Sequence, residues 1–248
     1  MSKALVNLHI VGVQKAGTSA LAHFLSQHPK ICVVEGKEAH VFDQPDFPTD
    51  NSNNYASKRY EKKLSHYNHE PIICDATPIT VFDPIFLKRC YAYNPGAKFI
   101  LLLRNPVERA VSHFYMSKNR AREQNNMFMS FLKESKRLKH LSGNDAWASG
   151  SLWRDNSYLT RGLYKKQIKN LFAIVPKGQC LIITQEELLN SHKITLANVF
   201  KFLDIDNLAI EPEKVFISEN AKKDPTERAA RLFAALYFLS KGEYPFRY

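Results

Sequence analysis

A lysine, two glycines and two hydroxyls crowd into Val11-Gly12-Val13-Gln14-Lys15-Ala16-Gly17-Thr18-Ser19. The apolar run from Leu5 to Val13 leads into this stretch and reads as a buried strand. Behind it, Leu21, Phe24 and Leu25 fall at helical spacing within Ser19 to Gln27. Strand, glycine-bearing turn and helix together aim backbone N–H groups and the positive end of a helix dipole at one point. That arrangement suits an anion of phosphate type. A nucleoside-triphosphatase loop would place lysine directly after the second glycine. Here Gly12 and Gly17 keep the spacing, but Thr18 and Ser19 follow, and the loop's lysine is Lys15. The cation has moved inside the loop, which disfavours a simple ATP or GTP site.

Two further groups carry chemistry. After the short apolar strand Ile31–Val34 comes a polar cluster, Glu35-Gly36-Lys37-Glu38-Ala39-His40-Val41-Phe42-Asp43. It sits beyond the carboxyl end of a strand, where ligands bind in open α/β sheets. Glu38 is a candidate general base, a role favoured if partial burial lifts its pKa toward neutrality. His40 either shares that role or binds a ligand, unless it is an ordinary histidine at the core's edge. Lys37 reads equally well as a surface ion-pairing residue, and Asp43 as structural or orienting. Farther on, the apolar strand Phe99–Leu103 ends in Arg104, where a phosphate-hydrolysing P-loop protein would carry a magnesium-holding aspartate. Ser112 lies two turns into the next helix, so Arg104 and Ser112 suit a second phosphate. The competing reading pairs Arg104 with Glu108 and leaves Ser112 in solvent.

The elements that must position these groups alternate. Strands are predicted at 71–78, 98–104 and 179–184. Helices are predicted over Val81–Tyr93, from an Asn105 cap and Pro106 to about Lys118, and over Phe128–His140. Further helices are predicted from an Asn156 or Ser157 cap to Phe172, over Thr195–Phe202 and over Thr226–Leu239. A long loop leads into a surface helix between 44 and 70, and 142–151 reads as loop. The pattern predicts an α/β fold of P-loop type in three layers, a central, mainly parallel sheet flanked by helices.

The 248 residues suit a single domain, 1–248. No run approaches the roughly 20 apolar residues of a membrane helix, and the N-terminus lacks a signal-peptide cleavage site, so the chain reads as cytoplasmic. Cys32, Cys74, Cys90 and Cys180 have no metal-site spacing and read as free thiols; no metal is expected. The net charge of +11 favours an anionic partner: a nucleotide, an acidic polysaccharide, nucleic acid or a lipid surface. Lys118, Arg120 and Arg122 read as a solvated helix face or a grip on an acidic acceptor. Trp147, Trp153, Tyr158 and Tyr164 read as core or as an acceptor lining.

The motifs, taken in order, resemble one family. Val13-x-Lys15-x-Gly17-Thr18-Ser19 resembles the 5′-phosphosulfate loop of sulfotransferases that use 3′-phosphoadenosine 5′-phosphosulfate (PAPS). Leu103-Arg104-Asn105-Pro106-x-x-Arg109-Ala110-x-Ser112 resembles their 3′-phosphate motif. Gly36-Lys37-Glu38-x-His40-x-Phe42-Asp43 is similar to the catalytic segment of the heparan-sulfate sulfotransferases and their bacterial relatives. Arg161-Gly162-x-Tyr164-x-x-Gln167-Ile168 and Ile182-Ile183-x-x-Glu186-x-Leu188 resemble a later helix and a strand-helix segment more weakly, and 220–223 a loop over the nucleotide. Asp75-Ala76-Thr77-Pro78 is followed by Ile79-Thr80, where the resemblance implies a nearby tyrosine. The resemblance implies PAPS as sulfuryl donor, its bisphosphate (PAP) as product, and a sugar or other hydroxylated metabolite as acceptor. Lys15, Glu38 and His40 are then catalytic; Lys15, Ala16, Gly17, Thr18, Ser19, Arg104 and Ser112 hold the nucleotide. The alternatives are a small-molecule P-loop kinase, which needs magnesium and ATP, and a basic nucleic-acid-binding module.

Overall fold

The computed structural model describes residues 5–50, 52–141, 143–213, 215 and 223–244. Five strands form one parallel sheet: β1 (Leu8–Gly12), β2 (Ile31–Val33), β3 (Ile72–Asp75), β4 (Lys98–Leu103) and β5 (Cys180–Thr184), in the order β2-β3-β1-β4-β5. β1 and β3 are buried along their whole length, and β4 at all but its first residue. Continuous apolar runs of this kind mark strands covered on both faces. The helices are α1 (Thr18–Leu25), α2 (Ser52–Glu61), α3 (Pro84–Tyr93), α4 (Pro106–Asn119), α5 (Met127–Leu138), α6 (Gly143–Trp147), α7 (Leu152–Asp155), α8 (Tyr164–Ile174), α9 (Gln185–Asn190), α10 (His192–Leu203) and α11 (Glu227–Ser240). The expected α/β architecture is present. Among the described residues no helix is long and apolar enough to cross a membrane.

The chain divides into two compact units. The first comprises Met1–Asp43, Phe47–Leu103 and Lys169–Ile217 and holds the whole sheet. β1 is its central strand, paired through Leu8 to Cys74 of β3 and to Lys98 of β4. The backbone at Gly12 leaves no room for a side chain: a β-carbon there would stand 2.5 Å from Val81 Cγ1 and 3.0 Å from the Pro78 carbonyl. All four cysteines are free, three of them buried.

The second unit comprises Gln44–Asp46, Arg104–Ile168 and Ser218–Tyr248. Its core gathers Val107, Ala110 and Phe114 of α4, Phe131 of α5 and Ala230, Ala234 and Phe238 of α11. Tyr158 and Tyr164 are fully buried and Trp147 nearly so, so these three belong to the core rather than to an acceptor lining.

Several boundaries differ from those the sequence suggests. Val81 belongs to a loop, its N–H bonded to Val11 O at 2.9 Å, and α3 begins after an Asp83 cap that accepts from Ile85 N at 2.9 Å. Neither Asn156 nor Ser157 caps a long helix. The Ser157 hydroxyl donates to Trp153 O and accepts from Arg161 Nε, and α8 starts only at Tyr164. The polar stretch expected as a loop contains α6 and the start of α7 follows it. α9 follows β5 directly, as the resemblance of 182–188 to a strand-helix segment implies, and is begun by a reciprocal cap between Thr184 and Glu187. Of the segment compared with a loop over the nucleotide, residues 220–222 lie outside the described residues.

Candidate active site

The anion loop stands on the carboxyl end of β1. Val13 N donates to Leu102 O on β4 at 2.7 Å, Ala16 N to Val13 O at 3.1 Å, and Leu21 N to Gly17 O at 3.0 Å. Gly17 is the N-cap of α1, left-handed at φ +95°, and offers no side chain to the first-turn amides. Those N–H groups, at Thr18 and Ser19, therefore gain no acceptor from the cap's side chain. Lys15 shares the left-handed conformation at φ +73°. Ala16 and Thr18 are buried, while Lys15, Gly17 and Ser19 are partly exposed. Gln185, the first residue of α9, brings its amide to 3.6 Å from where a Gly17 β-carbon would sit. The sequence reading missed that neighbour; the Thr184-x-x-Glu187 capping signature could have placed a helix start there.

At the same edge of the sheet, beyond β2, the second cluster forms a chain of charges. The Lys37 ammonium pairs with Glu38 Oε1. His40 Nε2 stands 3.1 Å from Glu38 Oε2, and His40 Nδ1 is 2.8 Å from Oδ2 of the buried Asp43. Lys37 and His40 both adopt left-handed backbone, φ +59° and +50°, which costs a residue with a β-carbon ~1–2 kcal/mol.

These contacts reverse one expectation. Burial alone would raise the Glu38 pKa, but the hydrogen bond from His40 and the charges of Lys37 and His40 outweigh it, and the pKa is lowered. Burial would also push the His40 imidazole down, yet Asp43 and Glu38 carry it up to about 10. Glu38 is thus ionised, and His40 a cation, at neutral pH. Because the folded pKa of His40 lies above its ordinary 6.5, its stabilisation is complete below about pH 6.5 and lost as pH rises through about 10. An NMR titration of the labelled imidazole should find its midpoint near 10; a midpoint near 6.5 would contradict this geometry.

The second anion grip lies in the other unit. Arg104 follows β4 directly, and Asn105 caps α4 by accepting from Val107 N at 3.0 Å and Glu108 N at 3.3 Å. Arg231 forms an ion pair with the Glu108 carboxylate, whose charge also acts on the Arg104 guanidinium. The Arg104 carbonyl accepts the Tyr164 hydroxyl at 2.7 Å, and burial draws the Arg104 guanidinium below its usual range. Ser112 is partly buried on α4. The downstream basic stretch serves local structure: Lys118 donates to Gln124 O and Asn125 O, and Arg122 pairs with Asp155 at 2.8 Å.

Comparison with known proteins gives a family. The sulfotransferase domain family matches residues 7–244, which takes in all three motifs. A bacterial sulfotransferase from Alicyclobacillus acidocaldarius superposes with a TM-score of 0.73 at 28% identity, over 96% of this chain and 93% of that one. The sulfotransferase domain of the curacin biosynthetic pathway (TM-score 0.52, 15% identity, 85% of this chain and 77% of that one) shares the fold. Heparan sulfate glucosamine 3-O-sulfotransferase 3A1 of Mus musculus is 27% identical over 222 residues, 87% of this chain and 50% of its own length. The membrane-associated sulfotransferase kil1 of Dictyostelium discoideum is 34% identical over 113 residues, 46% of this chain and 23% of its own length. The chain thus spans half the length of the first of these two relatives and less of the second. With the family match running almost end to end over the loop, the Glu38 cluster and the Arg104 motif, the chain belongs to the sulfotransferase domain family.

Proposed function

We propose that residues 1–248 act as one sulfotransferase domain of the EC 2.8.2 type, moving the sulfuryl group of PAPS to a hydroxyl of a sugar or other hydroxylated metabolite. One observation carries the reading: a helix N-terminus capped only by Gly17, with Lys15 in its loop, shares a sheet edge with an ionised Glu38 held by His40. The residues fit a phosphate-bearing nucleotide, because the N-cap of α1, Gly17, supplies no side-chain acceptor to the first-turn amides. The bound nucleotide supplies an activated sulfuryl group; the chain supplies positioning and charge, as in phosphoryl transfer.

In this reading Ala16, Gly17, Thr18 and Ser19 hold the 5′-phosphate through N–H groups and hydroxyls. Arg104 and Ser112 take the 3′-phosphate. Glu38 accepts the proton of the acceptor hydroxyl as that oxygen bonds to sulfur and the bond from sulfur to the 5′-phosphate oxygen breaks. Lys15 neutralises the charge left on that oxygen. His40 steadies Glu38 or contacts the acceptor. An acidic carbohydrate suits the charge of +11, and heparan sulfate is the acceptor named for the Mus musculus relative. The free thiols accord with a reducing, cytoplasmic setting. The family match favours sulfuryl transfer over the kinase and nucleic-acid readings.

The test is calorimetric titration with PAP beside ATP, with and without magnesium. Metal-independent binding of PAP in preference to ATP is expected. A preference for magnesium-ATP would overturn the reading and promote the kinase.

A further inference from the structure

Glu38 lies within a four-residue segment whose ends, Lys37 and His40, occupy the left-handed region at φ +59° and +50°. Residues with a β-carbon avoid that region, so the segment needs support from outside itself. The carboxyl end of β3 provides it. Asp75 is 3% exposed. Its Oδ1 accepts from Ala39 N at 3.2 Å and from the Thr77 hydroxyl at 2.6 Å, and its Oδ2 accepts from the Tyr60 hydroxyl of α2 at 2.8 Å. Thr77 Oγ1 accepts in turn from His40 N at 3.3 Å, and Ala76 N donates to Lys37 O at 2.8 Å. Residues 75–77 therefore bond the backbone of Lys37, Ala39 and His40, bracketing Glu38 on both sides.

We propose that Tyr60, Asp75 and Thr77 form a positioning network that fixes the distance between Glu38 and His40 and so sets the competence of the base. The proposal rests on the assignment of Glu38 as base and adds three residues to it, none of which touches the reacting atoms. Tyr60 orients Asp75. Asp75 holds Ala39 and the Thr77 hydroxyl. Thr77 completes the bridge to His40. A strained backbone kept in place by buried bonds from a neighbouring strand is the signature of a site arranged for geometry.

Thr77→Val tests this, because it keeps the side chain's shape and leaves in place Asp43 and Glu38, the two groups that hold the His40 pKa up. Two measurements are made: the NMR titration midpoint of labelled His40, and calorimetric affinity for PAP. The midpoint should fall by at least about one unit from about 10, while PAP affinity stays within about twofold. Thr77→Ser, which retains the hydroxyl, should restore the midpoint. Tyr60→Phe, one bond farther out, should shift it in the same direction by less. A midpoint that stays at the wild-type value in both Thr77→Val and Tyr60→Phe would reduce the network to a fold-stabilising one and overturn the proposal. Failure of the wild-type chain to bind PAP would overturn the nucleotide reading instead, with the His40 midpoint still deciding this one.

Discussion

Lys15→Ala should lower sulfuryl transfer by at least ~10²–10³-fold, the usual loss when one preorganised donor to a developing anion is removed. Lys15 is the cation of a loop whose other donors are backbone amides and hydroxyls, so no neighbour in that loop replaces its charge. PAP affinity should also weaken, because the 5′-phosphate is bound in the ground state as well. Thermal stability should change little, since the side chain is partly exposed and alanine keeps the same backbone demand at φ +73°. Arg104→Ala should likewise weaken PAP binding, through the other phosphate. Radiolabelled sulfuryl transfer from PAPS, run beside PAP calorimetry, checks both variants. Full transfer in both would sink their assigned roles.

Glu38→Gln separates chemistry from binding. The amide keeps the carboxylate's size but accepts no proton, so turnover should fall by ~10²–10⁴-fold while PAP affinity stays within about twofold. The lowered Glu38 pKa adds a pH signature. Its carboxylate is already ionised at neutral pH, so the wild-type rate should be level from about pH 6 to 9, with an acid limb below the ordinary carboxylate value. Removing the Glu38 charge should also lower the His40 midpoint, since Glu38 is one of the two groups holding it up. Unchanged turnover in this variant would overturn the assignment of Glu38 as the base.

The sheet and the anion loop were legible because each rests on a strong local signal. Parallel strands read as unbroken apolar runs, as Phe99–Leu103 does, and Asn105-Pro106 announces a helix start that the structure places there. Asn156 and Ser157 looked like equally good caps. Tertiary partners decided otherwise, because the Ser157 hydroxyl bonds Trp153 O and Arg161 Nε and the Asn156 amide donates to Glu123 and to the Tyr158 hydroxyl. The direction of the Glu38 shift was out of reach for a similar reason. It depends on Lys37 and His40 converging on one carboxylate, and that convergence comes from left-handed backbone at residues whose types give no hint of it. Asp75 and Thr77 showed only as the polar end of a strand. Their value lies in bonds to a segment some 36 residues away in sequence.

The central place of β1 has a consequence for the order in which the protein is made. A ribosome completes β1 long before β3 and β4 exist, and β4 carries the Leu102 carbonyl that holds Val13. At ~5–20 residues per second, about 5–20 s separate the synthesis of this turn from that of its anchor. Through that interval the nascent chain holds a glycine-rich, lysine-bearing turn with nothing to shape it. Parallel pairing across such sequence distances is slow to form. Nascent chains stalled before Leu102 should therefore lack nucleotide affinity, which is acquired only once the fourth strand has docked.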